Sequence, residues 1–279
     1  MANPLTQGED SRLKRRDDLG IVRCMRAFSL QSGSNGNCIY VETPDARLLI
    51  DAGISGAQTA RRLAERDIDV RDVDAVLISH DHWDHIASAG ILHRKFQLPI
   101  HLTRKTFAVG ERSGRLGRFS ELRFFTAGES LRFRDTVVET LPTPHDGADG
   151  SAFVIVHGDH RLGVLTDLGH VTPGLEAVMG TLDAVFLESN YDPQMLTLGG
   201  YPEQTKARIR GPGGHLSNPE AALLIRNASG RLQWACLAHL SEHNNTPSLA
   251  LETARVHLPS KFPLFAASRY GVSEMLRVF

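Results

Sequence analysis

Apolar residues recur along the chain in two periods. Short runs rich in Val, Ile, Leu and Phe, bounded by Gly, Pro, Asp and Asn, predict β-strands over 24–30, 37–42, 46–51, 73–79, 99–103, 121–126, 136–141, 151–157, 160–166, 183–188, 232–238 and 263–267. Amphipathic stretches between them predict helices over 56–66, 84–95, 104–117, 173–179, 203–210, 217–229 and 246–257. Ser217-Asn218-Pro219-Glu220 places an N-cap and a first-turn proline before an apolar run, and Ser55 and Thr246-Pro247 offer similar starts. Hairpin-like runs dominate early and helices intervene later. That mixture predicts two sheets with helices outside them rather than one parallel doubly wound sheet. No repeat at a solenoid period and no low-complexity linker interrupts the pattern. The expected organisation is a polar arm over 1–20 followed by a single domain over 21–279.

Composition narrows the class. The chain has 279 residues, 41% hydrophobic and 23% charged, which suits a globular protein and excludes a disordered or fibrous one. The formal net charge is −1, so nucleic-acid binding requires a local basic patch. Cys24, Cys38 and Cys236 are too few and too odd in number for a disulfide framework, and no C-x-x-C is present. Cys38 and Cys236 lie in apolar runs and read as buried fillers. No apolar run approaches the ~18 residues of a membrane span. The arm carries Lys14, Arg15 and Arg16 beside Asp17 and Asp18, without the apolar stretch of a secretory signal. A cytoplasmic protein is the expectation. Histidine is the outlier, with 13 against 4 Tyr and 2 Trp.

Ser79-His80-Asp81-His82-Trp83-Asp84-His85 follows the apolar run Asp74–Ile78 directly. A strand end fixes the backbone while the loop aims its side chains at one point. His80 and His82 can converge on one ion, and Asp84 and His85 turn toward a second as the next helix begins. Imidazole and carboxylate donors suit zinc best, with manganese or iron as alternatives. A solvated polar loop would show no such spacing. Further donors follow other β-type runs: His145 in Thr143-Pro144-His145-Asp146, Asp167 in Thr166-Asp167-Leu168-Gly169, and His239 in Ala238-His239-Leu240-Ser241.

With these motifs in order, the chain resembles the metallo-β-lactamase fold superfamily, whose H-x-H-x-D-H signature matches His80 to His85. Within it the chain looks most like the YycJ-type hydrolases, relatives of tRNase Z. Phe28–Cys38, Glu188-Ser-Asn-Tyr-Asp192, Gly214-His-Leu-Ser-Asn218 and Ala238–Asn245 match that family's landmarks. Trp83 departs from the pattern, because a small residue is usual there. The resemblance implies an α+β fold, a four-layer αββα sandwich with two divalent metal ions at one sheet edge. It assigns His80, His82 and His145 to one ion, Asp84, His85 and His239 to the other, and Asp167 as the bridge. Glu188 and His215 resemble a pair that donates a proton to the leaving group in tRNase Z relatives. A carboxylate-held histidine is suited to that work.

Other residues carry weaker signals. Asp51 closes the run Leu48–Ile50; it can orient a metal-bound imidazole or cap the following turn. The Gly/Ser/Asn loop with Ser32, Ser34 and Asn35 reads as a hairpin turn that the resemblance places at the cleft. His243 and Asn244 follow His239 and are cleft or loop residues. Segment 103–123 carries Arg104, Lys105, Arg112, Arg115, Arg118 and Arg123 against Glu111 and Glu121. Lys206, Arg208 and Arg210 face Glu203 alone. Such runs are solvated faces or, if they flank the metals, a phosphate track.

The resulting reading is a dinuclear metal-dependent hydrolase that uses a metal-bridging hydroxide, with Asp84, Glu188 and His215 in catalytic roles. The resemblance implies a phosphodiesterase, a 5′-to-3′ exonuclease on DNA. Asp167 follows His145 by 22 positions, too few for the arm that tRNase Z inserts there. A small-molecule hydrolase (thioesterase, lactonase or cyclic phosphodiesterase) is the alternative. A regulatory protein with a purely structural metal is a third.

Overall fold

The computed structural model describes residues 24–279. The polar arm expected over 1–20 lies outside the described residues. Among the described residues, fourteen strands form two seven-stranded sheets. The first sheet contains β1 (Met25–Gln31), β2 (Cys38–Glu42), β3 (Arg47–Ile50), β4 (Ala75–Leu77), β5 (Ile100–Thr103), β6 (Arg123–Phe125) and β14 (Leu276–Val278), in the order β14-β1-β2-β3-β4-β5-β6. The second contains β7 (Ser130–Phe133), β8 (Thr136–Pro142), β9 (Ser151–His157), β10 (His160–Leu165), β11 (Ala184–Glu188), β12 (Trp234–Ala238) and β13 (Leu264–Ala266), in the order β13-β12-β11-β10-β9-β8-β7. Each sheet begins with antiparallel hairpins and turns parallel toward one side.

The period-two alternation of each strand divides it between two cores. In β11, Ala184 and Phe186 face the other sheet, while Val185 and Leu187 face outward. In β3, Leu48 and Ile50 join the inter-sheet core and Leu49 the outer one. Both faces are thus covered, and the strands read as nearly continuous apolar runs. Helices α1 (Gly56–Ala64), α2 (Trp83–Ile86) and α3 (Ala89–Phe96) cover the first sheet through Leu63, Ile86, Leu92 and Phe96. Helices α5 (Pro173–Met179), α8 (Asn218–Ala228) and α9 (Pro247–Arg255) cover the second through Leu175, Met179, Leu224, Ile225 and Ala254. Helices α4 (Arg104–Arg112), α6 (Pro193–Leu198) and α7 (Glu203–Arg210) complete the set. The four layers are those expected of the αββα sandwich.

The expected caps form. Ser217 and Glu220 make a capping box on α8, Ser55 and Gln58 make one on α1, and the Thr246 side chain accepts from Leu249 N–H. The helix expected over 84–95 is broken in two. Ala52 of the loop after β3 donates to His85 O at 2.7 Å and accepts from Ser88 N–H at 2.8 Å, so this backbone is spent on a tertiary contact. The helix expected over 104–117 stops at Arg112, where Gly114 at φ 64° ends it in a left-handed turn. Strands β7 and β14 and helix α6 were not expected.

Candidate metal centre

Every donor sits just past the C-terminal end of a strand, at one edge of the sandwich. Asp51 follows β3, His80 to His85 follow β4, His145 follows β8, Asp167 follows β10, Glu188 ends β11 and His239 follows β12. Three of these, Asp51, Asp167 and His239, hold left-handed backbone at φ 67°, 58° and 55°. Such a conformation costs ~1–3 kcal/mol per residue and turns the side chain sharply off the strand line. Close approach is also built in. A Cβ on Gly53 would lie 1.7 Å from Asp84 O, and one on Gly147 would lie 2.5 Å from His80 Cδ2.

Two donor sets result. His80, His82 and His145 form one, and Asp84, His85 and His239 form the other, with donor atoms in each within 4.8 Å of one another. Asp167 lies between them, its Oδ1 at 3.6 Å from His145 Nε2 and 3.4 Å from His239 Nδ1, and its Oδ2 at 3.4 Å from His85 Nε2. All seven expected donors are therefore brought together. His80 Nε2 and both Asp167 oxygens are buried without a hydrogen-bond partner. Buried polar atoms are otherwise almost always paired, so these three fit donors to a cation. The all-N/O donor set suits divalent transition metals.

The outer atoms of the histidines are fixed. His85 Nδ1 is 2.7 Å from Asp51 Oδ2, and Ser79 Oγ donates to the same oxygen at 3.0 Å. His80 Nδ1 meets Ser79 Oγ at 2.9 Å, and His145 Nδ1–H donates to Gly214 O at 2.8 Å. Glu188 Oε1 receives both His215 Nδ1 at 2.7 Å and His239 Nδ1 at 2.9 Å. Its Oε2 accepts from Leu168 N–H and Leu216 N–H at 2.8 and 3.1 Å.

The electrostatics demand positive charge. Burial opposes ionisation, yet Asp84 and Asp167 stay far below the ordinary carboxylate range because His85 and His239 face them. Glu188 lies at about 2, held down against burial by His215 and His239. His239 is pushed up to about 10 against burial by Asp167, Asp84 and Glu188, and His85 rises against burial through Asp167, Asp51 and Asp84. His80 and His82 move downward, through burial and neighbouring imidazoles, and stay neutral. The buried acids thus call for positive charge beside them. A divalent cation between them would supply it directly and leave every ring neutral.

Other expected residues take different places. Ser32 is 1% exposed and its Oγ accepts from His239 N–H at 2.7 Å, so it braces the metal centre instead of meeting a substrate. Asn244 is likewise buried, its Nδ2 directed to Ser241 Oγ. Ser34, Asn35 and His243 are exposed. Asn35 donates to Arg269 O, and the His243 ring packs edge-on against Tyr201. Lys206 is buried against Thr197 O and Glu203, and Arg208 pairs with Asp146 at 2.6 Å, so the 206–210 cations are structural rather than a free track. Cys38 and Cys236 are buried.

The sequence reading missed four residues. Asn37 Nδ2 donates to Asp84 Oδ2 at 3.2 Å and lies 3.0 Å from His85 Nε2. Ser79 links Asp51 to two imidazoles. Asp146 Oδ1 stands 3.4 Å from both His82 and His145, and Asp81 accepts from Ala148 N–H. The signal for Ser79 and Asp146 was adjacency to a ligand motif; Asn37 was hidden in a loop whose composition reads as a turn.

Fold and site together define a metallo-β-lactamase-type protein, and residues 32–182 match the Metallo-beta-lactamase superfamily model. The chain belongs to that superfamily. It is 35% identical over 252 residues to the exodeoxyribonuclease YycJ of Bacillus anthracis, covering 89% of this chain and 92% of that one. It is 36% identical over 224 residues to the exodeoxyribonuclease WalJ of Streptococcus pneumoniae, covering 79% and 83%. The metallo-β-lactamase fold protein YhfI of Bacillus subtilis superposes with a TM-score of 0.70 at 18% identity, covering 91% of this chain and 99% of that one. No helix among the described residues is long and apolar enough to cross a membrane.

Proposed function

We propose that the protein is a two-metal phosphodiesterase acting on DNA, an exonuclease of 5′-to-3′ polarity. The observation that carries it is the convergence of seven N/O donors, three donor atoms among them orphaned, beside a carboxylate-held histidine. His80, His82 and His145 would hold one ion and Asp84, His85 and His239 the other, with Asp167 placed between the two sets. Bound there, two divalent ions, zinc by donor type, would supply Lewis acidity toward a phosphoryl oxygen and a nucleophile at neutral pH. Asp84 and Asp167 would supply the negative charge that keeps both ions in place. Asp51 and Glu188 fix the faces that His85 and His239 present. Glu188 also holds Nδ1 of His215, so Nε2 is the atom that delivers a proton to the departing oxygen. That ring is 14% exposed, open enough to meet a substrate. The DNA substrate is carried by likeness to the two exodeoxyribonucleases and by the exposed cations of segment 103–123.

The test is incubation of metal-loaded protein with single-stranded DNA labelled at one end or the other, beside small carboxylic esters. Release of labelled mononucleotide from 5′-labelled strands first supports both reaction and polarity. Ester hydrolysis without DNA cleavage would establish the small-molecule alternative. Strand cleavage should weaken steeply with added salt while cleavage of a small phosphodiester does not.

A further inference from the structure

We infer that Trp83 and Arg115 form a stacking platform for an unpaired base of single-stranded DNA at the edge of the metal centre, an inference that rests on the nuclease reading above. Trp83 stands between His82 and Asp84, so its Cα is ~3.8 Å from that of each. Its side chain is nonetheless 44% exposed. The Arg115 guanidinium lies over its ring, 5.5 Å from the centroid. An exposed indole with a cation over its ring, adjoining two metal donors in the chain, offers a flat π-face to a substrate strand at that edge.

Arg115 is held in place. The loop that carries it is clamped on α3 by Arg94, whose guanidinium donates to Leu116 O at 2.9 Å and Arg118 O at 3.0 Å. His93 Nε2 meets Ser120 Oγ at 2.8 Å, and Leu116 is buried. The pattern then repeats. Arg104 lies 4.4 Å over the Phe124 ring, and Phe107, Phe119, Phe124 and Arg118 line a groove of about 390 Å³ whose rim also carries Glu111 and Glu121. Arg104, Arg112, Arg115 and Arg118 are exposed and have no carboxylate partner among the described residues. Aromatic faces interleaved with unpaired cations grip a single strand without reading its sequence, since every base has a π-face and every nucleotide a phosphate. Duplex DNA keeps its internal base faces stacked away, so the platform selects an unpaired base.

The chain's own fluorescence gives the test. Its 2 tryptophans are Trp83 and Trp234, and Trp234 is buried with Nε1–H donating to Arg277 O at 2.7 Å. Metal-loaded protein is titrated with phosphorothioate-linked oligothymidylate and with an abasic phosphorothioate strand of equal length. Oligothymidylate should quench the emission, the abasic strand should not, and the quench should vanish in Trp83→Phe. The base-bearing strand should bind roughly 5- to 150-fold tighter than the abasic one. Trp83→Ala should lose that preference and Trp83→Phe keep most of it. Equal quenching by both strands, or an undiminished preference in Trp83→Ala, overturns the platform. If Trp83→Ala does not fold, the quench and its loss in Trp83→Phe still decide. DNA cleavage by the unmodified protein without any quench overturns the platform alone; failure to bind or cleave any strand overturns the nuclease reading with it.

Discussion

Glu188 serves two histidines at once. One oxygen holds His215 and His239, the other two backbone N–H groups, and the side chain has no solvent exposure. The resemblance alone pairs it with His215 as a closed unit; the fold adds a metal donor to the same oxygen. The two substitutions should therefore differ. His215→Ala should keep its metal content and lose ~10²–10⁴ in turnover on substrates with a poor leaving group. The loss should be small for nitrophenolate, which departs without a proton. Glu188→Gln should lose that factor and also bind metal ~10–100-fold more weakly, because His239 loses its orienting charge. Metal analysis after dialysis, beside rates for both leaving groups, separates them; metal loss in His215→Ala would end the proton-donor role. Asp51 acts similarly on His85, so Asp51→Asn should weaken metal binding ~10–100-fold while the fold survives, which calorimetric titration measures.

The strands project the site, and most of them were legible. Their two-sided burial makes the strands apolar runs, and the ends of β4, β8, β10 and β12 carry the donors. Strand β7 was not legible, because its Ser130-Leu-Arg-Phe133 sits at a sheet edge and buries no residue fully. Strand β14 is three residues that pair with β1 from the far end of the chain, and the break between α2 and α3 depends on Ala52, more than thirty positions earlier. The donor motifs were readable as spacing. The left-handed backbone that aims Asp51, Asp167 and His239 was not, because all three are ordinary residues for a strand end. Strand β5 also carries a pH liability. His101 is 7% exposed and packs edge-on against Phe133, and burial, with Arg123 adding, lowers it from 6.5 to about 4. The folded state binds this proton less well than the unfolded chain. Stability from this position is complete above the ordinary histidine value and is lost as pH falls from about 6.5 toward 4. His101→Phe keeps the ring packing and has no proton to gain. Denaturant unfolding should show it up to ~3 kcal/mol less sensitive than the parent to that pH change. Identical pH dependence would remove His101 as the source.

At the scale of the molecule, the donor sets straddle the sandwich. His80, His82, Asp84 and His85 come from the end of β4 in the first sheet, while His145, Asp167 and His239 come from β8, β10 and β12 in the second. Each three-residue set contains members of both sheets, so a cation in either set links the layers where their apolar core ends. His80 Nε2 and the Asp167 oxygens are buried with no protein partner, and buried acids crowd that edge. Metal should therefore stabilise the fold as well as serve chemistry. An ion present at ~100 times its dissociation constant contributes ~2.7 kcal/mol. In a chain of this size each kcal/mol moves Tm by ~2–4 °C, so chelation should lower Tm by at least ~5–10 °C. Scanning calorimetry before and after dialysis against a chelator measures the drop, and added zinc should reverse it. His239→Ala removes a second-sheet donor from one set only and should show a smaller drop than the parent. An unchanged Tm after complete metal removal would mean that the inter-sheet core alone holds the layers together and that the donors converge without linking them.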